Sequence, residues 1–136
     1  MKQLRVYVAG KYSAKNTIST LQNIAKGNKV CAELMMLNFA PFCPWHDSMY
    51  FIAYPNLSIS VDGFREVSLS WLSVSDCMLV ISGLKTSAGV KEEIAFCQNN
   101  SIPVFYSLQE LMAHREKLLF EENRIKELNK EGFIYG

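Results

Sequence analysis

Short continuous apolar runs and longer stretches with apolar residues at helical spacing take turns along this chain, and the pattern predicts strand followed by helix at least three times. Leu4 to Ala9 (LRVYVA) reads as a first strand ending in Gly10, with a polar loop from Lys11 to Thr17. From about Asn23 to Asn38, Ile24, Val30, Cys31, Leu34, Met35 and Leu37 keep near-helical spacing, with Gly27 a weak point or a close-packing site. Phe39 to Cys43 is a short second strand closed by Pro44, and the apolar, aromatic stretch from Ser48 to Asn56 takes no assignment. A helix capped by Asp62 runs through Phe64, Val67, Trp71 and Leu72 to Asp76. Cys77 to Ile81 is an unbroken apolar run, the mark of a strand covered on both faces. A helix from about Gly89 to Asn99, a strand from Ile102 to Tyr106 and a charged helical region from Leu108 to Lys130 complete the order.

That order implies an α/β fold: an open parallel sheet of four to five strands with helices on both faces and right-handed crossovers, Rossmann- or flavodoxin-like. Ligands of such sheets bind outside the carboxyl ends of the strands. The residues just past the Cys77 strand are therefore placed for chemistry: Ser82-Gly83, then Thr86-Ser87-Ala88-Gly89, a small-residue turn that opens a helix carrying Glu92 and Glu93. Adjacent helical residues point about 100° apart, so one glutamate faces solvent while the other is free to face the crevice. Both also lie early in the helix, where the dipole favours carboxylates whatever their role.

Composition narrows the reading. A chain of 136 residues is one domain, and 49% hydrophobic content is too high for a disordered segment. A net charge of +1 gives no reason to expect a nucleic-acid polymer or a membrane surface as partner. No apolar run approaches the roughly 20 residues of a membrane span, and Met1 to Gly10 lacks a secretory h-region, so a cytoplasmic protein is expected. Cys31, Cys43, Cys77 and Cys97 lie far apart without a C-x-x-C pair and read as free thiols. With His46 and His114 the only histidines, no metal centre is expected, and no organic cofactor is implied.

Three pieces in order, Tyr7-Val8-Ala9-Gly10, Trp71-Leu72 with Asp76 five residues after the Trp, and Ser87-x-Gly89-Val90-x-x-Glu93-Ile94, resemble the nucleoside 2-deoxyribosyltransferase superfamily over roughly Leu4 to Tyr106. The nearest likeness is to its deoxynucleoside 5′-monophosphate N-glycosidases and to its small bacterial and phage members. The resemblance implies a glutamate nucleophile that attacks C1′ of the sugar, here Glu93, with Tyr7 its hydrogen-bonding partner. It also implies Ser87 as a phosphate ligand beside Gly89 at a helix N-terminus, with Gly10, Lys11 and Ser13 near the phosphate from the loop after the first strand. One position departs from the family. Three residues before Trp71, where those enzymes carry a sugar-binding aspartate that helps with proton transfer, this chain has Ser68. A serine holds a hydroxyl group but is no acid near neutral pH. Asp62 lies nearly two helical turns earlier, and Asp76 belongs to the strand entrance, the wrong end for the crevice.

Pro41 to His46 (PFCPWH) comes after the second strand and opens at the same end. Trp45 and His46 there either hold a nucleobase, by stacking and edge hydrogen bonding, or belong to an aromatic loop packed under Met49 to Tyr54. The expected function is cleavage or transfer at the N-glycosidic bond of a nucleoside or nucleotide. The alternatives are a nucleotide-sensing module that kept the pocket without turnover and an interaction protein built on the same fold. Leu111, Met112, Leu118, Leu119, Ile125 and Leu128 form an apolar stripe whose simplest cover is a second copy, with Phe133 to Gly136 near the neighbour's pocket; packing back on the chain's own sheet is the other possibility.

Overall fold

The structure, a computed structural model, describes residues 2–132. Its elements are β1 (Arg5–Ala9), α1 (Thr17–Met36), β2 (Ala40–Phe42), a 3-10 turn (Pro44–Asp47), α2 (Ser48–Ala53), α3 (Val61–Ser73), β3 (Cys77–Val80), α4 (Ala88–Asn99), β4 (Val104–Phe105) and α5 (Leu108–Lys130). The four strands form one parallel sheet in the order β2-β1-β3-β4. From β1 the chain steps to one side to make β2, then crosses back to make β3 on the other side. With right-handed crossovers, that reversal sends the connecting helices to opposite faces.

Strand residues alternate between two cores accordingly. Val6, Val8, Cys77 and Leu79 pack with Leu34 of α1 and Leu111 of α5, whereas Tyr7, Ala9, Met78 and Val80 pack with Leu72 of α3 and with Val90 and Cys97 of α4. Burial on both faces is why β1 and β3 read as unbroken apolar runs.

Several boundaries differ from the sequence pattern for physical reasons. Helix α1 begins six residues before Asn23, because the Asn16 side chain caps it by accepting from the Ser19 N–H, 2.8 Å. That first stretch has no buried stripe to betray it, with Ile18 and Leu21 exposed. Ser60 rather than Asp62 caps α3, its hydroxyl accepting from Gly63 N–H at 3.1 Å. The unassigned stretch folds as α2, none of whose residues is buried.

At the entrance of β3, Asp76 accepts from the Arg5 N–H at 2.7 Å and pairs with its guanidinium at 3.8 Å, pinning β1 to β3 at the end away from the crevice. All four cysteines are free, three of them buried. The first half of the α5 stripe is covered by the chain's own sheet: Leu111 is fully buried, and Leu108, Met112 and Leu118 pack beside it. Leu119 and Ile125 are exposed. Phe133 to Gly136 lie outside the described residues. Among the described residues no helix is long and apolar enough to cross a membrane.

Candidate active site

A cleft of about 600 Å³ opens at the carboxyl ends of the strands, beside the point where the sheet order reverses. Each neighbouring element supplies one wall. Gly10, Lys11, Tyr12 and Ser13 come from the loop after β1, Pro44, Trp45 and Asp47 from the turn after β2, and Thr86 to Val90 with Glu92 and Glu93 from the start of α4. Helix α3 adds Val61, Phe64, Arg65, Ser68 and Leu69. Their spacing of three, one, three and one residues is that of a single helical face, fixed once Ser60 sets the helix start.

Glu93 is the chemical centre of this cleft. Its carboxylate accepts a hydrogen bond from the Tyr7 hydroxyl, so a side chain of β1 reaches across to α4. Burial pushes the Glu93 carboxyl up to about 7, with the Glu92 charge adding to the rise, while the Tyr7 bond and the Arg65 charge oppose it. Burial and the facing Glu93 charge hold the Tyr7 phenol far above its ordinary range, so it remains a donor throughout the working pH range. Ser68, on α3, opposes that rise. Glu92 turns outward, as the 100° offset requires, yet it also borders the cleft, where it pairs with Arg65 at 3.3 Å.

The Ser82 hydroxyl accepts from the Lys11 N–H at 2.9 Å, tying the two loops together. Gly83 has φ +79°, and a Cβ there would press on the Lys11 backbone nitrogen at 3.1 Å, so glycine lets the loops approach this closely. Ser87 caps α4 by accepting from Val90 N–H at 3.3 Å, which leaves its own O–H to donate into the cleft.

The sequence-derived residues therefore divide. Gly10, Lys11, Ser13, Trp45, Ser68, Ser87, Gly89 and Glu93 line the cleft, with Tyr7 behind Glu93. His46 does not: it is exposed and borders no part of the cleft, because the 3-10 turn rotates it outward while Asp47 turns in. Trp45 is 5% exposed and seated between Gly10 and Gly27, making it a buried wall rather than a stacking plate. A Cβ on Gly10 would lie 2.9 Å from its ring, and one on Gly27 would overlap it outright. Gly27 is thus a close-packing site. Asp62 is exposed and lines nothing here.

Among the lining residues that the sequence reading did not single out as functional are Asp47, Phe51, Phe64 and Arg65. Phe51 and Phe64 pack ring on ring with centroids 5.5 Å apart and, with Ile59 and Val61, make the apolar end of the cleft. Asp47 is half-buried and its carboxyl is raised by that burial, against the Ser48 and Asp47 N–H groups and nearby His46, which lower it. The spacing of Asp47 to Phe51 and of Phe64 to Ser68, four residues each, was a signal available in the sequence once both segments were taken as helical. No cluster of three metal-ligating side chains occurs among the described residues. No protein-family model and no curated protein matches this chain.

Proposed function

We propose that this chain cleaves the N-glycosidic bond of a nucleoside or nucleotide, or transfers its 2-deoxyribosyl group, with Glu93 as the nucleophile. The observation that carries this reading is the Glu93 carboxylate itself, half-buried in the cleft wall and held in one orientation by the Tyr7 phenol. A carboxylate so aimed attacks C1′, the base leaves with the bonding pair, and the glycosyl-Glu93 ester passes to water or to a second base. The cleft has the two ends such a substrate needs. One is apolar and aromatic, suited to the flat face of a base. The other offers the Ser87 hydroxyl, Lys11, Ser13 and the N-terminus of α4, suited to an anionic 5′-phosphate.

Incubation with a panel of nucleosides and 5′-monophosphates, followed by chromatography for free base, tests the reading. Release by the wild-type chain that Glu93→Ala abolishes is the expected result; no release from any member overturns it. The nucleophile must be ionised, so kcat/KM for a substrate whose leaving group needs no proton, such as 4-nitrophenyl 2-deoxyriboside, should climb with pH through the raised Glu93 value of about 7. A profile flat from about pH 5 to 9 contradicts that role.

Ser68 favours a second reading, a nucleotide-sensing module. A hydroxyl stands among the cleft-lining side chains where an acid would speed turnover. Tight binding by calorimetry without base release would select this reading over the first.

A further inference from the structure

A base leaving C1′ carries the bonding electron pair on a ring nitrogen and leaves slowly unless it is protonated as the bond breaks. Neither Ser68 nor Tyr7 is acidic enough to supply that proton near neutral pH. Three carboxyl groups border the cleft: Asp47, Glu92 and Glu93. Glu93 is the nucleophile of the proposed reaction, and Glu92 is exposed and already engaged by the Arg65 guanidinium. We propose that Asp47 is the general acid that protonates the departing base. This assignment rests on the glycosidic reading of the cleft and extends it.

The placement of Asp47 supports the role. Its backbone is already helical, φ −62° and ψ −24°, so it continues the phase of α2, and a residue four positions on shares its face. That residue is Phe51, which packs on Phe64, and both Asp47 and Phe51 line the cleft. Asp47 also occupies the N-cap position of α2, without a side-chain capping bond to that helix. The turn that carries it is fixed by Trp45, seated between Gly10 and Gly27. The titratable groups around it are Tyr12 from the loop after β1, Cys43 at the end of β2 and His46 on its own turn. Burial already raises the carboxyl, and a bound base that displaces the remaining water raises it further.

In the first half-reaction a Glu93 oxygen bonds to C1′, the C1′–N bond breaks, and the Asp47 carboxyl proton passes to the base, leaving Asp47 ionised. In the second, water attacks C1′ and delivers its proton to Asp47. The sugar then carries the hydroxyl, and Glu93 departs as a carboxylate. Protons and electron pairs balance with water as the only co-reactant.

The test compares two leaving groups. For Asp47→Asn, kcat/KM for base release from a nucleoside should fall about 100- to 10,000-fold, whereas kcat/KM for 4-nitrophenolate release from 4-nitrophenyl 2-deoxyriboside, which reports the first half-reaction and needs no protonation of the leaving group, should stay within about threefold. The basic limb of the nucleoside pH profile should disappear as well. Asp47→Glu keeps a carboxyl and should recover part of the rate together with that limb, which covers the case in which the asparagine variant does not fold. Equal losses on both substrates would assign Asp47 a structural or binding role and overturn the proposal, as would an unchanged nucleoside rate. If the wild-type chain releases neither leaving group, the glycosidic reading falls and this assignment with it. If Glu93→Ala abolishes release while Asp47→Asn leaves it intact, only the assignment falls.

Discussion

Glu93 is asked to be both buried and charged, and the two demands oppose each other. Its carboxyl binds a proton more tightly in the folded chain, at about 7, than at the ordinary 4.5 of an unfolded one. Between those values the folded state holds the extra proton, so stability falls as pH rises through this window and the full cost is present above about pH 7. With allowance for partial exposure, that cost is roughly 1–3 kcal/mol. Glu93→Gln should therefore raise Tm at about pH 8 and leave it nearly unchanged at about pH 4, where both states are protonated; thermal melts at the two values check it. Glu92→Ala should be mild, since an exposed pair such as Glu92–Arg65 contributes about 0–1 kcal/mol. Base release by that variant should persist, and a loss equal to that of Glu93→Ala would contradict the division of roles between the two glutamates. At this scale the sequence was legible where chemistry and turn coincide, at Tyr7, Ser87 and Glu93. It misled at His46 and was silent at Asp47, because a single turn of 3-10 helix decides which of two adjacent side chains enters the cleft.

Among the elements, α4 begins at a residue that both caps the helix and borders the cleft. Ser87 caps the helix and faces the cleft, and the two roles separate on substitution. Aspartate caps as well as serine does, so Ser87→Asp should hold stability within about 1 kcal/mol while its charge repels a 5′-monophosphate. Ser87→Ala should lose about 1 kcal/mol of stability with a smaller loss of affinity. Calorimetric titration with a monophosphate alongside a melt distinguishes them, and tighter monophosphate binding by Ser87→Asp would refute the anion site. Elements with a buried stripe were the readable ones: β1, β3, α4, the later two thirds of α1 and the start of α5 all place apolar residues at the period their burial demands. Unreadable were α2 and the first turns of α1, which bury almost nothing. The α3 face was hidden for a different reason: its residues mix apolar, cationic and hydroxyl side chains, so they share a direction without sharing a polarity.

For the molecule as a whole, the sheet buries both its faces, yet apolar side chains remain outside. Val67, Trp71 and Val74, on α3 and just past its end, are about half exposed, as are Leu119 and Ile125 on the outer half of α5. Symmetric pairing is the commonest way such faces are covered, and we predict at least a dimer in solution. Light scattering at micromolar concentration should give at least twice 15.5 kDa, and a stable monomer contradicts the prediction. A last consequence comes from the Trp45 seat. Gly10, Gly27 and Trp45 come from a strand end, a helix middle and a turn, and none of them has a reactive group, yet the indole fits only where both Cβ atoms are missing. Their substitutions should then be strongly non-additive: Gly27→Ala alone should cost about 1–3 kcal/mol, whereas the same change combined with Trp45→Leu should cost less than the two single effects together. In a lineage of such chains these three positions should drift as a unit, any one of them frozen for as long as the other two stay as they are.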